Sequence, residues 1–219
     1  MTVICDLVLP CRDEAAALPR VLAGVPGWCR AIVVDNGSSD ATAKVAAAHG
    51  ADVVREPQAG YGAAVHSGIT AADADYIAVA DGDGSFDLAD LGPLLELVRS
   101  GAATMAVGRR RPAGRGVWPW HARLGNAVLS AIVRRRTGLA VHDIAPLRLC
   151  RRTDLLSLDV RDRRFGYPLE LLLRAAEAGW RIVEVDVCYL PRAAGTRSKV
   201  SGSVRGTLRA TRDFARVLA

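Results

Sequence analysis

Residues 76–85 have the sequence Tyr76-Ile77-Ala78-Val79-Ala80-Asp81-Gly82-Asp83-Gly84-Ser85, in which a short apolar run ends in two carboxylates one residue apart. Small and β-branched apolar residues bounded by turn formers predict a buried strand over 76–80. In an open α/β sheet, ligands bind beyond the carboxyl ends of the strands, where Asp81 and Asp83 are expected. Two hard oxygen donors there could bind a divalent cation. The alternative is an ordinary glycine-rich turn.

Strands and helices alternate through the first half of the chain. The patterns predict strands over 3–9, 31–34, 51–55, 76–80 and 103–107, and helices over 14–24, 41–49, 62–72 and 87–99. This β-α-β-α order implies a mostly parallel central sheet with right-handed crossovers and helices on its faces. We therefore expect an α/β fold.

The second half is less regular, and no internal repeat or low-complexity linker separates it from the first. We therefore expect a single domain over 1–219. The patterns predict a basic Gly- and Pro-rich connection over 109–120, helices over 123–137, 167–178 and 204–218, a strand over 181–189 and a polar basic loop over 192–202.

The last predicted helix carries an apolar stripe beside a row of arginines. Such a helix could lie on an anionic membrane. A surface helix packed on the sheet is the commoner explanation of the same pattern. The stripe consists of Val204, Leu208, Thr211, Ala215 and Leu218.

The 219 residues carry a net charge of +6, which favours anionic partners such as nucleotides, phosphates or an anionic membrane surface. No nucleic-acid-binding module is found, so nucleic acid is not an expected partner. The five cysteines are odd in number and widely spaced, which argues against a disulfide framework and a zinc site. Without a signal-peptide pattern or an apolar run of about 18 residues, we expect a cytoplasmic protein, soluble or peripheral at the inner face of the membrane.

Three polar clusters directly follow the predicted first, second and fourth strands. They are residues 10–14, 35–40 and 81–83. Because the carboxyl ends of parallel strands meet at one edge of a sheet, we expect the three clusters to converge. A single aspartate after a strand, such as Asp40, is usually a helix cap, but solubility and capping do not explain all three clusters.

These motifs resemble, in order, those of family-2 glycosyltransferases. Residues 10–14 are similar to the family's P-x-x-N-E, residues 34–40 to V-D-D-G-S-x-D, residues 60–64 to G-x-G-x-A, Asp81-Gly82-Asp83 to D-x-D and Gly108-Arg109 to G-x-R. Residues 184–200 resemble the tail E-V-P-V-x-Y…R-x-x-G-x-S-K-V of polyprenyl- and dolichyl-phosphate sugar synthases. The chain departs from the family pattern with Asp13 in place of Asn and Asn36 in place of Asp.

The resemblance implies a GT-A (Rossmann-like) fold, a UDP- or GDP-linked sugar donor and transfer with inversion. It implies that residues 1–108 bind the nucleotide sugar and that residues 109–219 bind the acceptor. Asp81 and Asp83 would hold Mg²⁺ or Mn²⁺, which suits the leaving diphosphate. The residues implied to bind the nucleotide sugar are Pro10, Arg12, Glu14, Asp35, Asn36, Gly60, Gly62, Ala63, Asp81 and Gly82.

The tail implies a polyprenyl phosphate acceptor, and arginine and lysine are the side chains that grip phosphate. The candidates for acceptor binding are Arg123, Arg192, Arg197, Ser198 and Lys199. The catalytic candidates are Asp83, Arg109 and Asp143, where Asp143 either acts as a base or orients the acceptor or an arginine. Glu170 is a second candidate base, with a structural role favoured for it.

Two alternatives stay open at the level of the sequence. One is transfer to the hydroxyl or phosphate of a soluble small molecule, and the other is a non-catalytic protein that binds nucleotide sugars. The patterns also leave a homodimer open, and they do not identify the sugar or the base.

Overall fold

In the computed structural model, which describes residues 2–193 and 204–218, seven strands form one sheet. The strands are β1 (Cys5–Cys11), β2 (Cys29–Asp35), β3 (Asp52–Arg55), β4 (Tyr76–Val79), β5 (Met105–Pro112), β6 (Arg148–Arg151) and β7 (Ile182–Tyr189). The helices are α1 (Leu18–Ala23), α2 (Thr42–Ala48), α3 (Tyr61–Ala71), α4 (Leu91–Arg99), α5 (Trp120–Thr137), α6 (Arg152–Ser157), α7 (Tyr167–Glu177) and α8 (Val204–Leu218). A short 3₁₀ turn (Leu88–Asp90) precedes α4.

The strand order in the sheet is β3-β2-β1-β4-β6-β5-β7. β1 pairs in parallel with both β2 and β4, β5 pairs in parallel with β7, and β6 runs antiparallel between β4 and β5. The chain therefore builds outward from β1 to β3 and then restarts on the other side of β1 with β4. Such a reversal of strand order opens a crevice at the carboxyl ends of the two strands, where α/β folds bind ligands. The predicted mostly parallel α/β fold is confirmed.

The structure differs from the sequence prediction mainly in the second half. The strand β6 was not predicted, because Arg148–Arg151 is four residues long and begins and ends with arginine. The helix α6, which has only six residues, was not predicted either. The region 109–120 was predicted as a connection, but β5 continues through Pro112, which is paired with Tyr189 of β7. Pairing with a neighbouring strand thus overrides the low strand propensity of this basic segment.

Two hydrophobic clusters cover the two faces of the sheet. On one face, Leu7 and Leu9 of β1 pack in a cluster that includes α1 and α4. On the other face, Val8 packs in a cluster that includes α3, α5 and α7. This alternation along a strand that is buried on both sides is expected for the centre of a parallel sheet. α3 lies so close to β1 that a Cβ on Gly68 would come within 2.4 Å of Val8 Cγ1.

The last helix packs on the protein with a face that shares only Leu218 with the predicted stripe among residues 208–218. Ala210 is buried, and Phe214, Val217 and Leu218 contact the cluster that contains α7. Leu208 and Ala215, which belong to the predicted stripe, are exposed. Within residues 2–193 and 204–218, no helix has the length and the apolar character needed to cross a membrane.

A buried carboxylate fixes the amino-terminal edge of the sheet. The Asp6 side chain in β1 is fully buried and accepts two hydrogen bonds from the guanidinium of Arg30 in β2. The backbone N–H groups of Asp73 and Ala74 donate to the same carboxylate at 2.8 and 2.9 Å. Burial acts to raise the pKa of Asp6, but these hydrogen bonds outweigh it and lower the pKa below its ordinary value.

We expect Asp6→Asn to lower the free energy of unfolding at pH 7 by about 2–4 kcal/mol, because it weakens a buried ion pair and two amide contacts. Since the folded-state pKa is lowered, the stabilisation is present above the unfolded-state value of about 3.9 and is lost as the pH falls through the folded-state pKa. Urea denaturation at neutral and acid pH measures both effects.

The matched control is Asp73→Asn, because Asp73 pairs with the same arginine while its side chain is 80% exposed. An exposed ion pair contributes about 0–1 kcal/mol, so this variant should be nearly as stable as the wild type. Equal losses in the two variants, or a difference that grows at acid pH, would contradict the assignment.

Candidate active site

The three polar clusters meet at the carboxyl edge of the sheet, at the point where the strand order reverses. Cys11 at the end of β1 lies opposite Asp35 at the end of β2, and the Asn36 N–H donates to the Cys11 carbonyl at 2.9 Å. On the other side of β1, the backbone of Gly82 lies against Cys11, because a Cβ on this glycine would come within 2.3 Å of the Cys11 Sγ.

The first two clusters hold each other in place. Asp13 has a left-handed backbone (φ 55°), which aspartate tolerates better than most residues. Its carboxylate accepts hydrogen bonds from the N–H and the hydroxyl of Ser39 at 2.7 and 2.9 Å. The Glu14 N–H donates to the Thr42 hydroxyl at 2.9 Å. These contacts explain why residues 15–17 form a turn and α1 begins at Leu18, later than predicted.

Asn36 uses its side chain to hold the loop that leads into α3. Its amide nitrogen donates to the carbonyls of Glu56 and Gln58, and its amide oxygen accepts from the Gly60 N–H at 2.9 Å. An aspartate could not make the two donations, so asparagine is the residue that this loop requires. Its predicted contact with the nucleotide sugar stays a prediction. Asp35 accepts from the Ser38 N–H, and Arg12 is exposed at the same edge.

The glycines that precede and begin α3 allow two backbones to approach each other. A Cβ on Gly60 would lie 2.0 Å from the Arg163 carbonyl oxygen, and one on Gly62 would lie 2.4 Å from that of Asp162. The N–H groups of Gly62 and Ala63 donate to carbonyls of the loop at 162–164. These two donors are therefore committed within the protein. Nucleotide binding by Gly60, Gly62 and Ala63 stays a prediction.

Asp83 is buried and lies beside an arginine from the far end of the sheet. Its Oδ2 is 2.6 Å from Nη1 of Arg192, and its Oδ1 accepts from the Ser85 N–H. The segment after β7 runs along residues 83–86, since the Leu190 N–H donates to the Ser85 carbonyl and the Ala193 N–H donates to the Asp83 carbonyl. This pairing brings Arg192 to the carboxylate.

Asp81 lies in a low-dielectric, strongly charged environment. Burial, and then the negative charge of Asp83, raise its pKa to about 6. The positive charges that oppose this rise belong to Arg192, Arg110 and Arg148. Two carboxylates in this position are stabilised by cations, and the protein itself supplies three guanidinium groups.

Arg110 is the arginine of β5 that acts on this edge. Its guanidinium donates to both carboxylate oxygens of Asp143, at 2.9 and 2.6 Å, and lies 4.1 Å from the ring centroid of Trp118. Its own N–H also donates to Asp143. Burial acts to lower the pKa of Arg110, but the bond to Asp143 outweighs it and raises the pKa. Because successive residues of a strand lie on opposite faces, Arg109 is on the other face of β5 from Arg110. The catalytic role of Arg109 stays a prediction.

Two further side chains orient this pair. The sequence analysis placed Glu184 at the start of the tail motif without a role of its own, and it did not single out Asn126. Glu184 of β7 accepts hydrogen bonds from the N–H groups of His142 and Asp143 at 2.7 and 2.9 Å. Asn126 of α5 accepts from the Ile144 N–H and donates to the His142 carbonyl. The alternation of β5 could have pointed to Arg110, but no local pattern links Glu184 to Asp143, 41 positions away, or Asn126 to His142, 16 positions away.

The remaining predicted residues divide into three groups. Glu170 accepts from the N–H groups of Arg161 and Asp162 and from the Arg174 guanidinium, which agrees with a structural role. Arg123 is exposed on α5. Arg197, Ser198 and Lys199 lie outside the described residues.

The residues present fit a divalent cation that is coordinated jointly by the protein and by a bound phosphate group. Among the described residues, no group of three or more His, Cys, Asp or Glu side chains could hold a metal ion by itself. Mg²⁺ commonly binds one or two carboxylates and completes its shell with phosphate oxygens and water. Asp83 supplies a buried carboxylate and Asp81 a half-buried one, and the charges of both already attract the cation of Arg192.

We expect Gly82→Ala to destabilise the protein by about 1–3 kcal/mol, because the added methyl would overlap the buried Cys11 Sγ. The double variant Cys11→Ala/Gly82→Ala should recover most of this loss, since the next atoms lie 3.9 Å away. Chemical denaturation of the two single variants and the double variant gives the coupling between the sites. If the losses in free energy of unfolding of the two single variants simply add in the double variant, the contact with the Cys11 Sγ is not what excludes a side chain at residue 82.

Comparisons with known proteins identify the family and the fold of this chain. The family model for glycosyl transferase family 2 matches residues 6–157. An uncharacterized glycosyltransferase of Mycobacterium tuberculosis (strain ATCC 25618 / H37Rv) is 55% identical over 213 residues, which cover 97% of each chain. The polyprenol monophosphomannose synthase of Mycolicibacterium smegmatis is 32% identical over 216 residues, which cover 90% of this chain and 81% of the relative.

A solved structure shows the same fold. Glucosyl-3-phosphoglycerate synthase from Mycobacterium tuberculosis, in complex with Mn²⁺, uridine diphosphate and glucosyl-3-phosphoglycerate, superposes with a TM-score of 0.76. The two sequences are 22% identical, and the match covers 99% of this chain and 78% of that one. The chain therefore belongs to glycosyl transferase family 2 and is a glycosyltransferase with the GT-A fold.

Proposed function

We propose that this glycosyltransferase moves a hexosyl group from a UDP- or GDP-linked sugar to a polyprenyl phosphate, with Asp81 and Asp83 holding Mg²⁺ or Mn²⁺. The observation that carries the proposal is the charge arrangement at the carboxyl edge. Directly after β4, Asp83 pairs with Arg192 at 2.6 Å, and the positive charges of Arg192, Arg110 and Arg148 act to lower the pKa of Asp81. A site for two phosphate groups and a divalent cation needs both signs of charge in this way.

On the donor side, the polar clusters at the ends of β1 and β2 frame the crevice for the nucleoside. Carboxylates such as Asp35 and Glu14 can accept hydrogen bonds from ribose or base. The diphosphate would extend from there toward Asp81 and Asp83. A bound Mg²⁺ or Mn²⁺ supplies Lewis-acid stabilisation of the negative charge that grows on the leaving diphosphate.

In the proposed transfer, a phosphate oxygen of the acceptor attacks the anomeric carbon of the donor sugar. The new bond joins that oxygen to the anomeric carbon, the bond to the diphosphate oxygen breaks, and its electron pair leaves with the nucleoside diphosphate. Arg192 and Arg110 are placed to attract the phosphate oxygens. The acceptor is already anionic at neutral pH, so the attack requires no strong general base. For Asp143 we therefore propose the role of orienting Arg110.

The relatives support the choice of acceptor. The polyprenol monophosphomannose synthase named above matches along most of both chains. An undecaprenyl-phosphate mannosyltransferase of Micrococcus luteus is 31% identical over 218 residues. A transfer assay decides the question, in which radiolabelled UDP- and GDP-hexoses are each incubated with Mn²⁺ and a short-chain polyprenyl phosphate in detergent. We expect label in the organic extract with one donor.

A parallel assay arm contains 3-phosphoglycerate in place of the lipid. If labelled product forms only in this arm, in the aqueous phase, the acceptor is a soluble phosphate and not a lipid. Binding of nucleotide sugars without turnover in either arm would instead indicate a non-catalytic binding protein.

We expect Asp81→Asn and Asp83→Asn each to lower turnover by about 10³-fold, because each removes a negative charge needed to hold the cation at the leaving diphosphate. The binding of Mn²⁺, followed by calorimetry, should weaken in both variants. The control is Asp87→Asn, since Asp87 is exposed and caps the 3₁₀ turn through the Ala89 N–H. Turnover in either site variant equal to that of the control would refute the metal role.

We expect Arg192→Gln to change metal binding and turnover in opposite directions. Without the guanidinium beside Asp83, Mn²⁺ no longer competes with an internal cation, and its affinity for the nucleotide-free protein should rise up to about tenfold, or 1.4 kcal/mol. Turnover should fall by about 10²-fold because a phosphate-binding charge is lost.

Arg111→Gln is the control for this prediction, because Arg111 is half-exposed and pairs with Asp186 on the outer part of the sheet. Both Mn²⁺ affinity and turnover should stay within about twofold of the wild type, as expected for a surface ion pair. Weaker Mn²⁺ binding in Arg192→Gln would rule out the competition between arginine and metal.

A further inference from the structure

Helix α5 exposes a row of large apolar side chains on one face. Trp120, Leu124 and Val128 are 76%, 57% and 51% exposed. They are spaced four residues apart, so they lie one above the other along the helix. The opposite face is buried through Ser130 and Val133. Three of the six large hydrophobic side chains that are exposed in the described part of the chain therefore form one stripe.

The charged residues that flank this stripe along the sequence are all arginines. Residues 97–142 contain nine arginines and no aspartate or glutamate. On α5 itself, Arg123, Arg135 and Arg136 are exposed. A tryptophan and aliphatic side chains flanked by arginines match the interface of an anionic bilayer, where aromatic rings sit at headgroup level and arginines contact lipid phosphates.

A second copy of the chain fits the stripe less well. A stable protein interface buries about 800 Å² on each partner, whereas one tryptophan offers at most about 250 Å² and the two aliphatic residues less. Docking of two identical faces would also bring their arginines together. An anionic lipid surface, in contrast, neutralises these charges and accepts side chains without a matching shape.

The stripe begins next to the candidate active site. Trp120 follows Trp118, whose ring stacks on the guanidinium of Arg110. Asn126, on the buried side of the same helix, accepts a hydrogen bond from the Ile144 N–H beside Asp143. A bilayer held against the outer face of α5 would therefore place lipid headgroups close to the carboxyl edge of the sheet.

We propose that the outer face of α5, from Trp120 to Val128, is the surface by which this protein binds an anionic lipid bilayer. The surface deepens the proposed function, since a polyprenyl phosphate is presented by a membrane. Helix α8 is a poorer candidate, because Leu208 is the one large apolar side chain that it exposes among residues 208–218.

The test is co-sedimentation of the full chain with vesicles that contain no polyprenyl phosphate. Wild-type protein should bind vesicles of phosphatidylglycerol and phosphatidylcholine, should bind less as salt increases, and should not bind phosphatidylcholine alone. The triple variant Trp120→Ala/Leu124→Ala/Val128→Ala should bind the anionic vesicles at least about tenfold more weakly. The control variant Val3→Ala/Leu156→Ala removes two exposed apolar side chains elsewhere and should bind like the wild type.

A spectroscopic measurement does not depend on the triple variant. Brominated lipid in the anionic vesicles should quench the fluorescence of Trp120, and Trp120→Phe should lose most of this quenching. The proposal is overturned if the triple variant binds like the wild type, if quenching is unchanged in Trp120→Phe, or if the wild type forms a dimer without lipid that the triple variant does not form.

Failure of this proposal and failure of the proposed function give different results. The detergent assay with short-chain polyprenyl phosphate requires no bilayer, so the triple variant should retain wild-type turnover there. Normal turnover without vesicle binding would reject the α5 surface and leave the function intact. Vesicle binding that is lost in the triple variant, without turnover on any acceptor, would support the α5 surface and reject the proposed function.

Discussion

The close packing of the β4 exit against the end of β1 is the constraint on which the site depends. β1 is paired in parallel on both sides, so the chain leaving β4 emerges beside Cys11. Gly82 fits there because it has no Cβ to meet the Cys11 Sγ. The two aspartates on either side of this glycine are thereby brought to the crevice at the strand reversal, and Asp35 reaches the same edge through the register of β1 with β2.

Because Asp83 is buried and Asp81 half-buried at this edge, positive charge from the rest of the fold stabilises their ionised forms. The three arginines that do so come from three different places in the second half of the chain. Arg110 lies on β5, Arg148 on β6, and Arg192 follows β7. The sheet order places β6, β5 and β7 successively beyond β4. The irregular half of the chain therefore supplies positive charge at the edge where the regular half supplies carboxylates, and the short antiparallel strand β6 brings Arg148 next to β4.

The sequence predicted the first half of the fold well, because each strand there has an apolar centre and alternates with a helix pattern, and the buried strands β1, β2 and β4 are followed by turn residues. The second half was harder, because long-range pairing overrides local preference. Arg148–Arg151 carries no strand pattern, and the pairing of Pro112 with Tyr189 extends β5 through a run of arginines. In the candidate site, the sequence identified the polar clusters but not the side chains that orient them. Arg110 and Glu184 meet the loop around Asp143 through contacts that no spacing along the chain reveals.

The contacts of Asp143 bear on the nature of the acceptor. A general base needs a carboxylate oxygen that can take a proton from a hydroxyl within hydrogen-bond reach. Both oxygens of Asp143 instead bind the guanidinium of Arg110, and one of them also accepts the Arg110 N–H. Glu170 is likewise occupied, by two backbone N–H groups and Arg174. An edge that is rich in guanidinium groups, and whose candidate bases are both engaged in ion pairs, suits an acceptor that arrives already ionised, such as a phosphate monoester, better than a neutral hydroxyl.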